Sequence, residues 1–190
     1  SKIAPEDFDA ILEEVRRCRD IIATLRTYTG KMQPQLAPMT FAEFFATIRS
    51  YLESEPAFNT LQFAFTPPEE EEKTVMIDIK AMYQVFNNLL KNAAEAMAGL
   101  PVKKVSIIAA TFPDHSCIRV QDIGRGFECL PEHIFEPLFT TKPQGTGLGL
   151  IICQAIIEGH QGRIEAARVE GQITEFSIML PVARLQKQEK

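Results

Sequence analysis

Nowhere in this chain do lysines and arginines gather into a stripe: twenty of them are outnumbered by twenty-five aspartates and glutamates, for a formal net charge of −5. That balance argues against nucleic acid as a partner, and against a membrane surface for the same reason. Long hydrophobic runs are absent as well. Every apolar stretch is interrupted by charge or glycine well before the roughly 18 residues that a membrane span needs, and residues 1–40 carry no signal-peptide pattern. Cysteine is scarce: Cys18, Cys117, Cys129 and Cys153 form no Cys-x-x-Cys pair and have no histidine at ligand spacing, which argues against zinc. They read as reduced cytosolic thiols, each a small buried hydrophobe. No internal repeat is apparent.

What is present describes a globular chain. Its 190 residues suit one compact domain, or one domain plus an extra helix. With 45% apolar and 24% charged residues, it is neither disordered nor collagen-like. Between 5 and 28 the apolar residues Phe8, Ile11, Val15, Cys18, Ile22 and Leu25 fall at heptad spacing, the seam of a bundle helix. Pro5 suits its first position, Glu6 and Asp7 suit its dipole, and Gly30 with Pro34 and Pro38 ends it. Residues 31–38 read as a linker.

Thr40 and Glu43 form a capping box that predicts a helix to about residue 54, covering a sheet. Segments 61–65 and 74–77 read as two short strands joined by a polar turn that holds a solvated acidic run, Glu69 to Glu72. A long helix is expected over 78–98, with Met82, Val85, Phe86, Leu89, Leu90, Ala93 and Met97 on its apolar side and Asn88 and Asn92 on its polar side. Strands 105–112 and 116–121 should pair across Pro113-Asp114, and 164–169 with 173–180 across Glu170-Gly171. Between the two pairs, 148–157 is helical. The order implies an α+β fold, a two-layer sandwich with helices on one face of a mixed sheet, preceded by a bundle helix.

Three features carry chemistry. Asn88 and Asn92 are four apart, so their amides stack on one helix face. Asparagine is a poor residue there, so the pair either satisfies nearby backbone or presents carbonyl oxygens to a hard cation such as Mg²⁺ on a phosphate chain. Asp122-Ile123-Gly124-Arg125-Gly126 follows a strand, and is either an ordinary turn or a backbone against which a planar ligand packs while Asp122 accepts from an exocyclic amine. Gly145-Thr146-Gly147-Leu148-Gly149 leads into a helix, whose N-terminal N–H groups suit an anion. This loop follows no strand and lacks the spacing of both the dinucleotide fingerprint and the lysine-bearing P-loop. Between the glycine loops, Phe135 and Phe139 are either core residues or anchors of a lid, with Lys142 available for charge contact.

In this order and at these distances the features resemble the GHKL (Bergerat) ATP-binding fold, specifically the catalytic domain of bacterial two-component sensor histidine kinases. Residues 88–96 look like the N-box, 122–126 the first glycine box, 135–142 the F-box, 145–150 the second glycine box and 158–162 the turn after it. The likeness covers about 36–181, and 13–28 look like the end of the dimerisation and histidine-phosphotransfer helix. The implied organisation is 1–30 phosphotransfer helix, 31–38 linker, 39–182 catalytic domain and 183–190 polar tail.

The resemblance implies ATP and Mg²⁺ as cofactors. Asn92 would coordinate Mg²⁺ and Asn88 support it, with Asp122 on the adenine amine, Gly124 and Gly126 lining the base, and Gly145, Gly147 and Gly149 around the phosphates. Thr141, Thr146 and Leu148 belong to the same implied binding set, Lys142 reaches the phosphates, and Thr174 sits near the adenine Asp. It further implies a cytoplasmic catalytic unit, within a parent that is a homodimer and open to membrane anchoring, that phosphorylates a histidine and hands the phosphoryl to a response regulator receiver domain.

Three points qualify the likeness. Related hydrolytic ATPases carry a Glu four residues before the Mg²⁺ asparagine to activate water, where this chain has Asn88. No phospho-acceptor histidine of the family pattern is present: His115, His133 and His160 all read as structural. The residues Phe127, Glu128, Cys129 and Leu130 replace the usual Ile-Pro after the first glycine box. A GHKL ATPase and a degenerate adaptor of the same fold are the alternative readings.

Overall fold

The computed structural model describes Phe8, Ile11, Leu12 and Val15, and then residues 34–70, 72–127, 129, 131–140, 146–169 and 173–183. Phe8, Ile11, Leu12 and Val15 are helical, and from residue 34 on seven strands and three α-helices follow one another. They are β1 (Ala37–Thr40), α1 (Phe41–Ser54), β2 (Gln62–Thr66), β3 (Thr74–Ile77), α2 (Ile79–Ala96), β4 (Lys104–Thr111), β5 (His115–Asp122), α3 (Gly149–Gly159), β6 (Arg163–Val169) and β7 (Ile173–Pro181). Short 3₁₀ turns sit at Pro56–Phe58 and Pro131–Phe135. None of these helices is long and apolar enough to cross a membrane.

Local chemistry explains the helix starts. The Thr40 hydroxyl accepts the Glu43 N–H at 3.2 Å while the Glu43 carboxylate accepts the Thr40 N–H at 3.1 Å, so the expected capping box opens α1. Asp78 caps α2 by accepting from the N–H groups of Lys80 and Ala81 at 3.1 and 3.2 Å, and its other oxygen takes the Gln35 N–H at 2.9 Å. His160, just after α3, is buried with both ring nitrogens engaged. Nδ1 donates to the Ile156 carbonyl at 2.7 Å and Nε2 accepts the Asp78 N–H at 2.9 Å, which ties the end of α3 to the start of α2.

The main sheet runs β2-β4-β5-β7-β6, with β2 parallel to β4 and every other neighbour antiparallel. Parallel pairing needs a long crossover, and α2 lies within it. The strands at 61–65 and 74–77 are present, but they do not pair with each other. β3 instead pairs antiparallel with β1, a strand that occupies the end of the stretch read as linker. Successive residues point to opposite faces of the sheet, so Ile107, Val120, Phe176 and Ala166, aligned across four strands, share one face. That face meets Phe41, Phe44 and Ile48 of α1, Phe86 and Leu90 of α2, and Ile152 and Ile156 of α3 in one core. Each such side chain contributes roughly 1.5–3 kcal/mol by leaving water. The architecture is the expected two-layer α+β sandwich.

Candidate functional site

A cavity of about 720 Å³ opens between α2, the ends of β5 and β7, the Pro131–Phe135 turn and the start of α3. Ligand sites commonly span roughly 300–1,000 Å³. The polar side of α2 supplies Gln84, Asn88, Lys91, Asn92 and Glu95, a stripe at helical spacing. Only the two asparagines were singled out from the sequence; the same periodicity could have identified Lys91 and Glu95. Asn88 turns its amide nitrogen to the Gly149 carbonyl at 3.2 Å, pinning α2 to the first turn of α3.

Asp122 ends β5 with only 5% of its surface exposed. Burial pushes its carboxyl above the usual aspartate range, opposed by the Gly124 N–H, which donates to Oδ1 at 2.8 Å. The loop that follows is fastened to the end of α2. A Cβ added at Gly124 would lie 2.6 Å from the Ala96 Cβ, and the Arg125 N–H donates to the Ala96 carbonyl at 3.2 Å. Gly126 has φ +71°, a conformation that favours glycine. Across the sheet, Thr174 of β7 lies directly opposite Asp122. Its hydroxyl is buried, lines the cavity and has no hydrogen-bond partner among the described residues. A buried, unmatched hydroxyl facing a cavity asks for a polar ligand atom.

The start of α3 forms another wall. Leu148 stands at its N-cap without a side-chain capping bond, so the N-cap residue itself leaves the N–H groups of the first turn open. The Thr146 hydroxyl accepts the Leu148 N–H at 3.4 Å. Gly147, at φ +64°, packs on the Leu138 backbone so closely that an added Cβ would lie 2.7 Å from the Leu138 Cα, and Leu138 itself has φ 62°. Phe135 and Phe139 are both half-buried against the core, and Phe139 also lines the cavity.

Of the residues expected at the site, Asn88, Asn92, Asp122, Gly126, Thr146, Gly147, Gly149 and Thr174 line this cavity together. Gly124 and Leu148 lie just behind its wall, Gly124 against Ala96 and Leu148 in the core. Thr141, Lys142 and Gly145 fall outside the described residues. Arg125, Phe127, Cys129, Ile134 and Phe176 also line the cavity and were not expected to. Arg125 sits inside the glycine box at 122–126 and Phe127 and Cys129 follow it, whereas nothing in the local sequence marks Phe176, which is brought there by packing between distant segments. Cys129 is half-buried, packed against the core and also lining the cavity, whereas Cys117 and Cys153 are buried as expected. Burial pushes the Cys153 thiol up to about 12, and Cys18 is outside the described residues.

Comparison with known proteins identifies the family and the fold. The family described as histidine kinase-, DNA gyrase B- and HSP90-like ATPase matches residues 77–184. Sporulation kinase A of Bacillus subtilis (strain 168) is 32% identical over 177 residues, covering 92% of this chain and 28% of the relative. The catalytic domain of histidine kinase ThkA superposes with a TM-score of 0.64 at 31% identity, over 78% of this chain and 96% of that one. ThkA in complex with the response regulator protein TrrA gives 0.69 at 25% identity, over 96% and 53%. The chain spans less than half the length of the curated relatives it matches.

Proposed function

The chain belongs to the histidine kinase-, DNA gyrase B- and HSP90-like ATPase family, and from that premise we propose that it is the ATP-binding catalytic domain of a two-component sensor histidine kinase. In this reading it transfers the γ-phosphoryl of ATP to a histidine that is none of His115, His133 and His160. His160 is consumed by the α2–α3 junction, and His115 and His133 bond to the carboxylates of their neighbours Asp114 and Glu136.

The residues of the cavity fit a nucleotide. A buried carboxylate beside an unmatched hydroxyl suits the amine edge of a purine, and an uncapped helix start suits phosphates. Asp122 and Thr174 would hold adenine, with Gly124 and Gly126 giving the base room. Gly145, Gly147, Gly149, Thr141, Thr146 and Leu148 would wrap the phosphates, and Lys142 would add charge. Asn92 would hold Mg²⁺, and Asn88 would keep α2 and α3 in register around it. Bound Mg²⁺-ATP supplies the phosphoryl group and most of the charge neutralisation. The chain's part is to position it and to offer fixed backbone donors as charge builds on the oxygens.

The observation that favours transfer over hydrolysis is Asn88. It occupies the helix turn before Asn92, donates to the Gly149 carbonyl, and cannot take a proton from water as a carboxylate could. The likeness to ThkA supports a response regulator receiver domain as the downstream partner. A dimeric phosphotransfer element of the parent kinase would present the acceptor, and the unit would work in the cytoplasm.

The test is to incubate the chain with Mg²⁺-ATP and a separately supplied phosphotransfer dimer. Phosphohistidine should form on the dimer, with little steady-state hydrolysis in its absence. In calorimetry, ADP with Mg²⁺ should bind, and more weakly to Asn92→Ala. Rapid steady-state turnover without an acceptor would revive the ATPase reading, and no nucleotide binding would favour the adaptor.

A further inference from the structure

Asp122 and Thr174 are two members of a row of three. Strand register puts Asp122 opposite Thr174, and Thr174 opposite Arg168 on the edge strand β6. Directly opposed residues of antiparallel strands share a face, so the row runs from Asp122 through Thr174 to Arg168, whose backbone lies about two strand spacings, roughly 10 Å, from that of Asp122. The Arg168 side chain folds back over the loop after Asp122. Its Nη1 donates to the Phe127 carbonyl at 3.4 Å. A Cβ added at Gly126 would lie 3.1 Å from Arg168 Nε, 3.3 Å from Cζ and 3.4 Å from Thr174 Oγ1.

From this arrangement we infer that Arg168 is a positioning residue for nucleotide binding: it clamps Gly126 and Phe127 over the base end of the cavity. The inference rests on the nucleotide reading of that cavity. The loop is held from two sides. On the inner side Gly124 and the Arg125 N–H are fastened to Ala96 of α2. On the outer side the planar guanidinium covers the bare Cα of Gly126 and bonds the next carbonyl, which an ammonium could do only in part. Phe127 lines the cavity, so the clamp sets where an aromatic ring meets the base. Arg168 is itself exposed and outside the core, so it can be replaced without opening a void.

The experiment measures ADP affinity by calorimetry for the 190-residue chain, Arg168→Ala and Arg168→Lys, each in Mg²⁺ and in EDTA, beside thermal unfolding without nucleotide. Arg168→Ala should weaken ADP about fivefold, by the same factor in Mg²⁺ and EDTA, because the change lies at the base end and the metal acts at the phosphates. Arg168→Lys should recover part of the loss, and unfolding midpoints should agree within about 2 °C. Unchanged ADP affinity in Arg168→Ala would overturn the clamp. So would a loss confined to the Mg²⁺ titration, or one that tracks a fall in the unfolding midpoint. If the unsubstituted chain bound no ADP, the nucleotide reading itself would fall and the clamp with it.

Discussion

At the scale of single residues, Asp122 shows function set against stability. Its carboxylate is buried beside Thr174, and desolvation raises its pKa despite the Gly124 N–H. The folded chain therefore binds this proton more tightly than the unfolded chain. The stabilising contribution is present below the ordinary aspartate value, about pH 4, and is lost as pH rises through the raised folded value. Above that raised value the ionised group is a cost that the empty fold carries. Asp122→Asn keeps an oxygen for Gly124 while removing the charge. It should raise the apo unfolding midpoint at pH 7, with the advantage shrinking towards pH 4, as differential scanning at both values would show. The same variant should weaken ADP by at least about tenfold, because an amide N–H₂ facing the amine of adenine cannot accept from it. If apo stability fell at pH 7, the account of Asp122 as a strained buried charge would be wrong.

At the scale of elements, α2 is the central part. One side is core, through Val85, Phe86, Leu89 and Leu90. The other carries Asn88 and Asn92 into the cavity, and Asn87 accepts from the Tyr51 hydroxyl of α1 at 2.9 Å. Its start is fixed by Asp78. Partial burial pushes that carboxyl up, but the N–H groups of Gln35, Ala81 and Lys80, with His160 nearby, outweigh burial and leave its pKa below the ordinary value. The sign is opposite to that of Asp122: this contribution is present above about pH 4 and lost as pH falls through the lowered folded value. Asp78→Ala should cost about 1 kcal/mol at pH 7, the usual worth of an N-cap, and the gap should narrow in urea unfolding at pH 3. A variant as stable as the parent at pH 7 would show that the Asp78 carboxylate, through its bonds to Gln35, Lys80 and Ala81, contributes no net stability.

At the scale of the whole molecule, residues 1–30 raise the question of assembly. Phe8, Ile11, Leu12 and Val15 are helical and between 39% and 60% exposed. Single exposed apolar residues are ordinary, but four at helical spacing make a stripe that is stable in water only when paired. We predict weak, concentration-dependent dimerisation through this heptad seam, of which Ile22 and Leu25 lie outside the described residues. Sedimentation equilibrium should show a rising mass that Ile11→Ser with Val15→Ser abolishes, leaving ADP affinity intact. A strictly monomeric mass at high concentration would refute it.

Much of this protein was legible in its amino-acid order, for a physical reason. Helix periodicity, the Thr40–Glu43 capping box, the hairpins β4–β5 and β6–β7 and the glycine-bearing loops are set by residues within a few positions of each other. The motifs at Asn88–Asn92, 122–126 and 145–150 carried the family likeness. What only the tertiary structure decided is the pairing of segments far apart in the chain: β1 on β3 instead of a linker, β2 alongside β4 instead of β3, and Phe176 in the cavity wall. The row of Asp122, Thr174 and Arg168 is of the same kind, since strand register is chosen by which faces must be buried together and leaves no mark on the local sequence.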